Sequence, residues 1–112
     1  MLTQALQEII EKNLQRIYKQ TPLNDILYVL HSQHVLSEGE VDTLNEYKSK
    51  QRQNFEFIKI LRSRDDEDFE KFCYALSNHD TKAVKDFGNE LLKKIQNPSN
   101  LDDDGTYSRS YF

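Results

Sequence analysis

Apolar residues recur along this chain at steps of three and four and almost never at steps of two. Leu2, Leu6, Ile9, Ile10, Leu14 and Ile17 open the pattern. That spacing draws one stripe down a helix and leaves strands no alternating segment to use. The first predicted helix starts at Thr3 and ends near Gln20. Pro22 suits the first turn of a second, whose inward face is Leu23, Ile26, Leu27 and Leu30.

The next stretch, VLSEGEVDTL (residues 35–44), has Val35 and Leu36 anchoring a connection. Ser37 and Glu40 stand at the S-x-x-E spacing of a capping box. A short third helix follows, burying Val41 and Leu44. Phe55, Ile58 and Leu61 set the stripe of a fourth, which Phe57 and Ile60 widen.

Residues 62–76 read RSRDDEDFEKFCYAL and raise the one real question of chemistry. Asp65 or Asp66 can cap a helix, and the acids that follow sit at the positive end of its dipole. Phe69, Phe72, Cys73 and Leu76 then fall at i, i+3, i+4 and i+7, which puts Cys73 on the buried face of a fifth helix. A sixth begins after Asp80, turns Val84, Phe87, Leu91 and Ile95 inward and stops before Pro98. The expected fold is therefore all-α, a six-helix antiparallel bundle spanning 1–95, with 96–112 as a polar, turn-rich tail or linker.

Catalytic and metal-binding motifs are wanting. Cys73 has His79 six residues on, but a cysteine on a core stripe is inert packing. His31 and His34 are three apart with no third ligand near. The acids at 65–68 lack the spaced oxygens and glycine of a calcium loop. No phosphate-binding glycine loop or hydrolase motif occurs, so neither an enzymatic activity nor a cofactor is expected.

Charge is the informative surface property. The whole chain carries −4, which argues against a nucleic-acid footprint spread over all of it. Residues 25–47 hold five acids (Asp25, Glu38, Glu40, Asp42, Glu46) and no Lys or Arg, whereas 48–64 hold six bases against Glu56 alone. A nucleic-acid-binding helical domain using 48–64 is the alternative reading, weakened because Phe55 and Phe57 fall on or beside the core stripe. No apolar run reaches the roughly 20 residues of a membrane span. The start lacks the basic region of a signal peptide, so a cytoplasmic address is expected, with the module at the N-terminus of something longer.

The pieces Ile26–Glu40 (ILYVL…VLSEGE) and Phe69–Leu76 (FEKFCYAL), set among six short helices, resemble the caspase recruitment domain of the death-fold superfamily. Two departures stand out. Arg64-Asp65 replaces the family's frequent Arg-Gly corner, and Tyr28 and His31 occupy the middle of the second helix where the family tends to carry an acid.

The resemblance implies a homotypic adaptor that binds other such domains, in a caspase, an adaptor or further copies of itself, and that nucleates oligomers in apoptotic or inflammatory signalling. On that reading a basic face of Lys12, Arg16, Lys50 and Arg52 meets an acidic face of Asp25, Glu38, Glu40 and Asp42, head to tail. A corner of Arg62, Arg64, Asp65 and Asp66 would make a second contact near Lys82 and Lys85 of a neighbour. Exposed pairs contribute about 0.2–1 kcal/mol each, so their part is chiefly orientation and partner choice.

Overall fold

A computed structural model describes residues 1–96 of the chain; the tail expected over 96–112 otherwise lies outside the described residues. Seven helices follow one another: α1 (Gln4–Lys12), α2 (Leu14–Gln20), α3 (Leu23–Ser32), α4 (Glu38–Asn45), α5 (Lys50–Arg62), α6 (Asp66–Ser77) and α7 (Lys82–Gln96). No strand occurs among the described residues.

The expected first helix is two helices, which turns six into seven. Asn13 leaves helical geometry (φ −115°, ψ 15°) between α1 and α2. Its side-chain amide donates to the Ile9 carbonyl at 2.8 Å, and its backbone N–H also reaches the Ile9 and Ile10 carbonyls. An asparagine that satisfies the backbone in this way competes with the helix ladder. As a result Asn13 is turned inward with Ile10 and Ile17, and Leu14, expected in the stripe, is only half-buried.

At the end of α3 the chain reverses without a glycine. His34 takes φ 67°, its N–H donates to the His31 carbonyl at 3.0 Å, and the Val35 N–H donates to the Leu30 carbonyl at 2.9 Å. Those two bonds close a Schellman motif, which drops Val35 and Leu36 into the core. The capping box is present as expected: Glu40 N–H donates to Ser37 Oγ at 3.1 Å and Ser37 N–H to Glu40 Oε1 at 2.9 Å. At α6 the Asp65 N–H donates to Asp68 at 3.2 Å.

The core is one cluster centred on four fully buried rings, Phe57, Phe69, Phe72 and Phe87. Phe72 lies 5.3 Å from Phe57 and 6.1 Å from Phe69, centroid to centroid, in tilted arrangements that aromatic pairs prefer. On α7, Leu92 is buried while Ile95 is only partly so.

The fourth predicted stripe is rotated. Phe55 is 42% exposed, and its expected place inside is taken by Gln53 and Asn54, at 3% and 0%. Gln53 Nε2 donates to the Leu44 carbonyl at 2.9 Å and to Asn24 Oδ1 at 3.0 Å. Asn54 Nδ2 donates to the Tyr18 carbonyl at 2.9 Å and the Thr21 carbonyl at 3.3 Å. The two amides thus serve carbonyls at the ends of α4 and α2, which have no partner within their own helices.

Helices α6 and α7 approach closely at Gly88. A Cβ there would stand 2.4 Å from the Ser77 backbone nitrogen and 2.8 Å from the Cys73 carbonyl oxygen. Because the obstructing atoms are backbone, no rotamer change relieves the clash. Gly88→Ala should therefore destabilise the domain by at least the roughly 1–3 kcal/mol of an overpacked core. In thermal unfolding that is a fall in Tm of roughly 4–8 °C for each kcal/mol, and an unchanged Tm would show that the two helices can part freely.

Candidate interaction surfaces

The twelve charged residues singled out in the sequence do not form free faces of uniform kind. Most also tie the domain together. Arg16 donates to Glu90 at 2.7 Å, and its guanidinium lies 4.3 Å from the Phe87 ring centroid, so it bridges α2 and α7. Arg52 pairs with Glu56 one turn on at 2.8 Å and stands over the rings of Tyr47 and Phe55. Lys12 and Lys50 are exposed at the end of α1 and the start of α5.

On the acidic side Asp25 accepts from His79 Nε2 at 2.8 Å. The Thr81 N–H donates to His79 Nδ1 at 3.0 Å, which assigns the ring's proton to Nε2. Glu38 and Asp42 lie a helical turn apart on α4, exposed, and neither has an ion pair among the described residues. Glu40 is different. Its carboxylate both closes the cap on Ser37 and pairs with Arg64, whose Nε donates to the Val35 carbonyl at 3.0 Å.

The corner residues likewise face inward in part. Arg62 pairs with Glu11 of α1, and Asp66 accepts the Thr3 N–H at 2.9 Å. Asp65 lies 3.2 Å from the Met1 amino group. Lys82, the expected counterpart of the corner on a neighbour, pairs with Asp86 of its own helix at 3.0 Å.

Sequence reasoning missed the exposed ring of Phe55. Tyr18 lies 6.2 Å from it, and the charged groups of Arg52 and Lys59 are 5.6 and 5.7 Å from its centroid. Phe55, Tyr18 and Arg52, together with Lys19, Ser49 and Gln51, line an open groove of about 520 Å³ between α2 and α5. A second groove of the same volume runs between α3 and α6 and reaches their end at the α6–α7 turn. Val29, Tyr74 and Ala75 line its apolar part and Asp25, His79 and Asp80 its polar part.

Cys73 is fully buried, and that burial, with Glu70 adding to it, pushes its thiol far above the ordinary range. A thiol that stays protonated is no nucleophile. His31 Nδ1 lies 2.9 Å from the Leu36 carbonyl and donates to it, which spends that nitrogen on the chain's own backbone. No group of three His, Cys, Asp or Glu side chains stands close enough to hold a metal among the described residues. No helix among them is long and apolar enough to cross a membrane.

The described residues form a close-packed helical bundle with charge and exposed rings on its outside. The caspase recruitment domain model matches residues 7–90, and the chain belongs to that family, within the death-fold superfamily. The family is one of protein-interaction domains, not of catalysts, whose members bind other proteins carrying the same domain. Neither the curated proteins nor the solved structures contain a match.

The Glu40 pair makes a pH prediction with a definite sign. Burial alone would raise the carboxyl, but the Ser37 N–H and the Arg64 guanidinium outweigh it and hold the pKa lowered. A carboxylate depressed in the folded state adds stability above its unfolded pKa, about 4.3, and that stability is lost as pH falls through the lower folded value. Glu40→Gln keeps a cap acceptor and removes the charge. The parent should be the more stable at pH 7, with the difference shrinking below about pH 4.3 in parallel melts. A difference constant with pH would remove the charge from this account.

Proposed function

We propose that the chain is a homotypic recruitment module that nucleates oligomeric signalling complexes, of the kind that activate caspases in apoptosis or inflammation, in the cytoplasm. It acts by binding alone, without cofactor or reaction. The observation that carries this reading is the exposed opposition of sign between neighbouring elements. Glu38 and Asp42 stand on α4, and Lys50 and Arg52 on the first turn of α5. Two unlike surfaces on one chain favour a head-to-tail contact, and such a contact extends unless its rotation closes a ring.

Glu40 and Arg64 are poor probes of that contact because removing either breaks their pair within the chain, and removing Glu40 also opens the α4 cap. Lys50→Glu and Asp42→Lys are clean ones. Each alone should weaken assembly, measured by light scattering across protein concentration, by about 0.2–1 kcal/mol per pair lost, and the effect should fade with salt. Mixing the two variants should recover the lost contact. Parent-like assembly by both single variants would discard these faces.

A second reading draws on the exposure of Phe55. A ring flanked by Arg52, Lys59 and Lys19 has the composition of a single-strand nucleic-acid groove. Binding of a labelled thymidine oligonucleotide that drops steeply between 50 and 200 mM salt would favour it. Under the recruitment reading, the expected result is no measurable binding at the lower salt.

A further inference from the structure

The corner between α5 and α6 presents a hydroxyl with an unspent cation beside it. Ser63 caps the end of α5 and is exposed, and residues 63–65 lie outside both helices. Its Oγ donates to the Ile60 carbonyl at 2.6 Å. Arg64 commits Nε to the Val35 carbonyl and Nη2 to Glu40, while Nη1 stands 3.4 Å from Ser63 Oγ, too far for a strong bond. One guanidinium donor is thus aimed at this oxygen and only weakly used.

Downstream of Ser63 the charge is of one sign. Asp65, Asp66, Glu67 and Asp68 stand two, three, four and five residues beyond it. Glu67 is exposed, and the half-buried Asp66 and Asp68 accept backbone N–H groups, of Thr3 and Asp65. The two arginines that flank Ser63 are already paired, Arg62 with Glu11 and Arg64 with Glu40. An approaching protein therefore meets a hydroxyl followed by negative charge.

We propose that Ser63 is a phosphorylation site for an acid-directed serine kinase, and that Arg64 holds the phosphate once it is made. Kinases choose substrates by charge pattern, and a basic substrate cleft complements four acids in this order. A base-directed kinase finds little to read, because half-buried Ile60 and buried Leu61 precede the paired Arg62. In the transfer Ser63 Oγ attacks the γ-phosphorus of magnesium-bound ATP and the bond from that phosphorus to the bridging oxygen breaks. ADP leaves, and the hydroxyl proton passes to the kinase's catalytic aspartate. Ser37, with Glu38 and Glu40 beyond it, is a rival, but Glu40 is engaged by the cap and by Arg64.

Loss of the hydroxyl proton removes the bond to Ile60, and the new phosphate faces the negative end of α5 and Asp65. Both repel it, whereas Arg64 Nη1 attracts it. Before the step Arg62 and Arg64 cancel Asp65 and Asp66; after it the corner carries a further charge of about −1.5 to −2. Arg64, which ties the corner to Glu40 of α4, is then shared between two anions. The site is independent of the recruitment reading and stands whether or not the chain assembles.

The test incubates the folded chain, residues 1–112, with an acid-directed kinase of the casein-kinase type and magnesium ATP. Cleavage after glutamate gives a fragment 57–67 in which Ser63 has the only hydroxyl, so mass spectrometry locates the phosphate without ambiguity. Phosphate on that fragment is expected, and none on it in Ser63→Ala. The double variant Asp66→Asn, Glu67→Gln, shown by circular dichroism to be folded, should be modified at least about tenfold more slowly, having lost two charged acceptors. No phosphate on the fragment, or phosphate on a synthetic 57–70 peptide and not on the folded chain, overturns the site. An equal rate in the double variant overturns the acid-directed kinase. A phosphorus NMR titration then tests Arg64: the second ionisation should fall below the ordinary value of about 6, and an unmoved value overturns its hold on the phosphate.

Discussion

The rest of the bundle hangs on how closely α7 lies against α6. Gly88 has no side chain to hold the two backbones apart, so Phe87 and Leu91 reach the layer occupied by Phe72, Cys73 and Leu76. That layer in turn receives Phe57 from α5. Dispersion falls off so steeply with separation that an ångström of extra spacing would loosen every one of these contacts. The same approach places Phe87 and Glu90 where Arg16 of α2 can cover one and bind the other. A single absent methyl group therefore positions side chains on four helices.

Polar groups inside the bundle complete what apolar packing begins. Asn13 divides the first helix, and Gln53 and Asn54 hold the ends of α4 and α2 against α5. Thr21 and Asn54 are fully buried beside one another at one of these joints. Such groups contribute little net energy when paired and cost much when bare, so they select one arrangement of helices from the several that an apolar core alone would permit.

This division explains what could be read in advance. Helices whose inward residues are all apolar, as in Leu23–Leu30 or Phe69–Leu76, declare their period without ambiguity. Where the inward residue is an amide, period and polarity disagree, and the stripe is misread by one position. Four residues back from Ile58 is Asn54 and three back is Phe55, and the larger apolar residue outweighed the amide. The break at Asn13 left no mark in the apolar pattern, because Ile10 and Ile17 keep helical spacing across it. Sign segregation was legible because it is a property of the chain. Pairing was not, since Glu40 and Arg64 meet only once α4 and the α5–α6 corner have folded together.

Those internal pairs constrain how the outside can work. A charge already answered by its own chain offers a partner less field and gives up a bond when it leaves. That places Arg16, Glu40, Arg62 and Arg64 on the side of the fold, and leaves Lys50, Glu38 and Asp42 better suited to meet a neighbour. Charges of that exposed kind steer encounter and exclude wrong partners, but each holds the complex only weakly. Durable association needs apolar area removed from water, and the exposed rings of Phe55, Tyr28 and Tyr74 are where this surface has it to offer. Electrostatic choice and apolar hold then reside in different residues, so a change of partner need not be a change of strength.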